Sequence, residues 1–319
     1  MSVELGAQTV SVVICTHTLD RWDQLCAAVE SVRRQTLLPL ATIVVVDHDD
    51  ELLERAQATF ADAAVLANAN AAGLSGARES GAAHATSAVV AFLDDDATAD
   101  PDWLERLVEA YADPLVLGVG GLVEPGWEDE RPDWLPAEFD WVIGCTYAGL
   151  PVGDGGRIRS PIGANMSVRA EVMARAGAFD SRLARRTSAN KMSGTAEETE
   201  FCIRASRALP GHYWILEPRA RVVHAVSRER GTFRYFVRRC VLEGDAKGIL
   251  TTIAGAEDGL RSERAYVSRV LPRAFARELM RGVRGESAGF ATAGAIVVGL
   301  AATTAAYLRT RAMLAVGRR

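Results

Sequence analysis

Between residues 9 and 123, short aliphatic and β-branched runs alternate with longer stretches of helical period. The runs fall at 9–15, 42–46, 63–66, 88–93 and 117–123, and between the first two Trp22, Leu25, Val29 and Val32 recur at helical spacing. Strands alternating with amphipathic helices predict βαβ units, hence an α/β fold built on a mostly parallel sheet. The segment 126–156 breaks the pattern: Pro132, Pro136 and Pro151 and several tryptophans and tyrosines follow no period, which predicts a long loop. Loops of that length in compact domains tend to be functional. Beyond it, regular structure resumes near 169–176 and at 197–208, the latter opening as a helical stretch, then come short strands at 213–216 and 221–223, and the remainder is helical in pattern.

The last part of the chain carries a second kind of pattern. Within 261–284, Val267, Val270, Leu271, Ala274, Phe275, Leu279 and Val283 form one apolar stripe, while Arg269, Arg273, Arg277 and Arg281 recur at every fourth position on another. Such a helix suits the surface of an anionic membrane, although Pro272 can kink it. Residues 288–308 carry no charge and are long enough to span a bilayer, but Ala, Gly and Thr dominate them, so insertion is marginal. The competing reading is a pair of helices packed on the α/β domain or between subunits. The expected division is therefore an α/β domain over 1–230 and a helical extension over 231–319, with membrane contact through 261–308.

Composition narrows the class. With 49% hydrophobic and 24% charged residues the chain is a folded globular protein, and 36 basic against 41 acidic side chains exclude a generally basic nucleic-acid binder. The five cysteines are scattered through apolar runs with no C-x-x-C pair, as expected of reduced thiols. The amino terminus shows no secretory pattern, so a cytoplasmic location is expected.

The sharpest chemical feature is Leu93-Asp94-Asp95-Asp96, three carboxylates directly after an apolar run. Ligands of open α/β sheets bind beyond the carboxyl ends of strands, and adjacent acids need a neutralising cation, so Mg²⁺ or Mn²⁺ fits. Asp47 ends the second run in the same way and could bond a base or ribose. Arg78, after Asn70-Ala71-Ala72-Gly73, could pair with a phosphate or with the acid cluster. Glu197 and Glu198 open a helical stretch where either could act as a general base, whereas the helix dipole alone accounts for Glu200. His224 follows Val222-Val223 and could complete a metal shell. Neither G-x-G-x-x-G nor a P-loop is present, which removes dinucleotide enzymes and P-loop ATPases.

In order, these pieces resemble a family 2 glycosyltransferase of the bacterial type, from about residue 11 to residue 244. The opening Ser11-Val12-Val13-Ile14-Cys15-Thr16, Val46-Asp47, the Asn70 to Gly81 element, Asp94-Asp95-Asp96, Ile162-Gly163-Ala164-Asn165 and Glu197-Glu198 each look like a motif of that family. His17 to Arg21 depart from the usual aromatic and asparagine. The resemblance implies the GT-A nucleotide-sugar fold with a C-terminal helical extension. It implies inverting, metal-dependent transfer of a sugar from a UDP-, GDP- or dTDP-linked donor to an acceptor hydroxyl. Thr16, Asp47, Asn70, Arg78, Asp94, Asp95, Gly163 and Asn165 would line the nucleotide sugar; Asp96 and His224 would hold Mn²⁺ or Mg²⁺. Glu198, with Glu197 as the other candidate, would be the base, and segments 126–156 and 261–308 would shape the acceptor side. The alternatives are a sugar-1-phosphate nucleotidylyltransferase and a non-catalytic membrane-associated scaffold of the same fold.

Overall fold

The structure is a computed structural model and describes residues 8–177, 179, 196–255, 259 and 261–316. The chain forms two compact units, one of Met1–Glu124, Val152–Arg186 and Glu197–Ala225, the other of Pro125–Pro151, Thr187–Ala196 and Val226–Arg319.

The first unit starts with β1 (Val10–Thr16), α1 (Trp22–Arg33), β2 (Ala41–Val46), α2 (Asp50–Thr59), β3 (Ala64–Ala67), α3 (Leu74–His84) and β4 (Val89–Asp94). These four strands are parallel in the order β3-β2-β1-β4, with Cys15 beside Asp94 and Thr16 beside Val46. Val10, Val12, Val13 and Ile14 are all buried, because helices cover both faces of a parallel sheet and leave no polar side. On one face Val13, Ile43, Val45, Val90 and Phe92 pack with Ala77 of α3, Phe201 and Trp214.

The rest of the sheet adds antiparallel pairings. β5 (Ala97–Ala99) and α4 (Trp103–Glu109) lead to β6 (Val116–Trp127), β7 (Arg157–Ile158) and β8 (Asn165–Arg169), then α5 (Ala170–Ala176), α6 (Glu197–Ala208) and β9 (Tyr213–Val226). β8 pairs antiparallel with both β4 and β6, and β9 pairs antiparallel with β5 and β7, so the sheet is mixed rather than mostly parallel. The two short strands predicted at 213–216 and 221–223 are one fourteen-residue strand. Pro218 is exposed within it and lies between the residues facing β7 (Trp214, Ile215) and those facing β5 (Val222 to His224).

The second unit contains α7 (Phe233–Ile253), α8 (Arg261–Ala265), a π-helical turn (Tyr266–Val270), α9 (Leu271–Val283) and α10 (Ala288–Val316). Residues 126–151 of the predicted loop are part of its wall. Leu135, Phe139 and Val142 are buried against Phe236, Cys240, Leu271, Ala274 and Ile296, with Trp134 and Trp141 packed beside them, so its aromatics fill a core.

Two arginines of the expected basic stripe are also committed to this unit. Arg277 pairs with Glu138 and Glu278, and Arg281 with Glu278 and Glu286. Glu138 and Glu278 are only 3% exposed, and a buried carboxylate requires a cation beside it. Arg269, Arg273 and Arg284 remain exposed.

Candidate active site

Because β1, β2 and β4 run parallel, Thr16, Asp47 and Asp94 reach the same edge of the sheet. Asp47 sits in a fixed cradle. Its Oδ1 accepts from Asn68 Nδ2 at 2.6 Å and lies 2.9 Å from His48 Nδ1, and its Oδ2 accepts from the Gly73 backbone N–H at 2.8 Å. These donors hold the carboxyl below the usual carboxylate range against the opposing effect of burial. The cradle needs Gly73 at φ 119°, a conformation that side chains other than glycine avoid. Asn68 is the residue the sequence reading missed. Asn70 is turned away, its Nδ2 donating to Ser80 Oγ at 3.0 Å and its backbone N–H to Asn68 Oδ1 at 2.9 Å.

Arg78 is the hub of the site. It is 1% exposed, and its Nη1 lies 2.6 Å from Glu198 Oε1 and 3.7 Å from Glu197 Oε1. Its Nη2 lies 3.4 Å from Asp94 Oδ1 and donates to the Gly163 carbonyl at 3.2 Å. It thus lies against Asp94 of the acid cluster as well as the glutamate pair. Gly163 is where backbone approaches this pair, and a Cβ there would collide with both Glu198 and Arg78.

The two glutamates at the start of α6 differ in environment. The Glu197 side chain is 1% exposed and accepts from Ser75 Oγ, and burial together with the neighbouring Glu198 charge pushes its carboxyl up to about 7, with Arg78 opposing. The Glu198 side chain is 12% exposed and reaches the surface of the site. Glu200 points elsewhere, closing an ion pair with Arg204 one turn on.

Asp94, Asp96 and His224 each turn one ligand atom to the same place, all within 4.8 Å of one another. His224 Nε2 lies 3.1 Å from Asp96 Oδ1, brought there because Ala97 of β5 pairs with His224 of β9. Two carboxylates and an imidazole are a donor set that suits Mn²⁺ or Mg²⁺. Asp95 is buried, its Oδ1 taking a bond from Arg21 Nη1 at 2.9 Å, while its Oδ2 has no hydrogen-bond partner. Thr16 Oγ1 is likewise buried and without a hydrogen-bond partner.

One expected ligand residue lies outside this gathering. Asn165 is fully buried, donates to the Leu122 and Ala220 carbonyls at 2.9 and 3.0 Å, and accepts from Trp103 Nε1 at 2.8 Å. Its amide is spent on joining strands, so it cannot line a sugar.

This mixed sheet with acids at its parallel edge is the GT-A architecture. The chain belongs to glycosyl transferase family 2, whose model matches residues 11–175, and is therefore a glycosyltransferase rather than a nucleotidylyltransferase. It is 35% identical over 246 residues to the glucosyl-dolichyl phosphate glucuronosyltransferase of Haloferax volcanii, covering 76% of this chain and 77% of that protein. It is 27% identical over 183 residues to the succinoglycan biosynthesis protein ExoM of Rhizobium meliloti, covering 56% and 52%. Among solved structures, the mannosyltransferase PcManGT of Pyrobaculum calidifontis, in complex with GDP-Man and Mn²⁺, superposes with a TM-score of 0.56 at 16% identity, over 93% of this chain and 87% of that one. GalNAc-T7 with UDP, GalNAc and Mn²⁺ gives 0.53 at 18% identity, over 78% of this chain and half of the other.

Proposed function

We propose that the protein is an inverting glycosyltransferase that uses a nucleoside-diphosphate sugar, a divalent cation and Glu198 as general base. The observation that carries this reading is the meeting of Asp94, Asp96 and His224 on one side of Arg78 with Glu198 on the other. A cation held by Asp94, Asp96 and His224 would supply Lewis-acid stabilisation of the leaving diphosphate. Asp47 stays ionised in its cradle and accepts hydrogen bonds from the nucleoside. Glu198, oriented by Arg78, takes the proton of the acceptor hydroxyl as that oxygen attacks the anomeric carbon opposite the leaving group, so no covalent sugar intermediate forms. Glu197 supports the pair from beneath and does not reach the acceptor. The test is transfer or donor hydrolysis with UDP-, GDP- and dTDP-sugars: activity is expected with Mn²⁺ or Mg²⁺, lost in EDTA and restored by readdition. Asp96→Ala should retain only a rate that EDTA does not change; full activity of that variant in EDTA would overturn the cation assignment.

The acceptor we propose is lipid-linked and met at the cytoplasmic face of the membrane. Support comes from the Haloferax relative, named for a dolichyl phosphate substrate, and from the second unit. There Leu279, Met280 and Val283 of α9 are exposed, as are Phe290, Val297 and Leu308 of α10, along a face of α10 that carries no charge from residue 290 to residue 308. Arg269 in the π-helical turn before α9, Arg273 within α9 and Arg284 just after it supply positive charge next to these residues. Vesicles containing anionic lipid should bind the chain, and neutral vesicles poorly. Replacing these three arginines by glutamate should weaken anionic binding by at least roughly fivefold per site, whereas Arg281→Glu should act mainly on stability. Indifference to anionic vesicles at low salt would favour a soluble acceptor.

A further inference from the structure

Arg21 has no part in the reaction described above, yet it stands against the acids that the reaction depends on. It closes a short 3₁₀ turn after β1 that Thr18 pins by accepting the Asp20 backbone N–H at 3.2 Å. From there its Nη1 lies 2.9 Å from Asp95 Oδ1 and 3.3 Å from Asp96 Oδ2. Asp96 is therefore held from two sides, by Arg21 on one oxygen and His224 on the other. The two acids are nearly buried, with side-chain exposures of 4% and 5%, but the arginine side chain is 31% exposed.

A guanidinium and a divalent cation cannot share one carboxylate without repelling each other, and in a partly desolvated site that repulsion is weakly screened. An incoming diphosphate changes the sign of the balance, because its negative charges offset both cations at once. We propose that Arg21 is a built-in counter-cation that makes cation and donor binding interdependent. With no donor present it neutralises Asp95 and Asp96 and keeps the affinity for a free cation low; with a nucleoside diphosphate present the penalty disappears. By linkage, the cation tightens the nucleotide by the same factor as the nucleotide tightens the cation. This rests on the cation site proposed above, and its role is positioning: Arg21 sets the charge and placement of the acids.

The experiment is calorimetric titration of the full chain with Mn²⁺, alone and with UDP, GDP or dTDP at saturation, after subtracting Mn²⁺–nucleotide binding in buffer. In the wild type at least one nucleotide should tighten Mn²⁺ by ~10- to 100-fold, within the usual range of such couplings. Arg21→Gln should bind Mn²⁺ alone ~5- to 50-fold more tightly than wild type, and its nucleotide effect should shrink by the same factor. Arg21→Lys keeps the charge and should stay within about threefold of wild type. The proposal falls if Arg21→Gln binds Mn²⁺ no more tightly than wild type, if Arg21→Lys behaves like Arg21→Gln, or if no nucleotide alters Mn²⁺ affinity in the wild type. That last arm needs no variant, so it holds even if Arg21→Gln misfolds. Asp96→Asn separates the two ideas: unchanged Mn²⁺ binding in that variant means the cation site itself is misplaced.

Discussion

Glu198→Gln should slow glycosyl transfer by ~10² to 10⁴-fold while donor affinity stays within a few-fold of wild type. The amide keeps the size of the side chain and one oxygen for Arg78, which lies 2.6 Å from Glu198 Oε1, so the site should remain assembled. On the proposed mechanism, the variant loses the group that accepts a proton from the acceptor hydroxyl. Steady-state kinetics with nucleotide-binding measurements on the same variant separate this from misassembly, which would weaken donor binding as well. Glu197→Gln is the comparison. Its carboxyl is buried against Ser75, so its effect on rate should be smaller. If Glu197→Gln shows the large loss and Glu198→Gln does not, the base is one residue earlier.

Arg78→Met should cost about 3 to 5 kcal/mol of stability, the range found when one partner of a buried ion pair is removed. Methionine fills much of the volume, so the loss reports charge rather than a cavity. Without the guanidinium, Glu197 and Glu198 face each other with no cation between them. The deficit should depend on pH with a definite sign. Burial and the Glu198 charge already raise the Glu197 carboxyl in the folded protein to about 7 from 4.5, and Arg78, with the Ser75 hydroxyl, restrains it. A raised folded value means that stability is fully present below the unfolded value and lost as pH rises through the folded one. Urea denaturation should therefore show a small deficit near pH 5 and the full deficit at pH 8. A flat deficit across that range would mean that Arg78 stabilises through packing alone.

Much of the site could be read from residue order because strand ends in a parallel sheet share an edge. Asp47 and Asp94 needed only their apolar runs to be placed there, and 197–208 matched the observed α6 to the residue. Local pattern could not show which of two asparagines turns inward: Asn68 and Asn70 flank the same turn, and the choice depends on Asp47 across the loop. Asn165 looked like a ligand because its segment resembles a donor loop, but its fate is decided by carbonyls at 122 and 220. The same applies to the arginine stripe. Arg277 finds Glu138 139 residues earlier, a pairing that no helical period reveals. In 126–156 the absence of a period suggested a binding loop, whereas the density of aromatics was the better sign, since large rings are most often spent on a core.

The position of Arg78 also constrains the order in which this chain can fold. It leaves the ribosome on α3 more than a hundred residues ahead of the glutamates that neutralise it, which lie 119 and 120 positions later in the sequence. Until Glu197 and Glu198 emerge, burying that guanidinium would leave it with Asp94 alone at 3.4 Å, which favours a hydrated α3 face while the intervening residues are made. The parallel strands can pair early, but the Arg78 cluster closes only with the late arrival of α6. A nascent chain stalled before residue 197 would expose Ala77 and its apolar neighbours along with Arg78, and would be a natural client for chaperones.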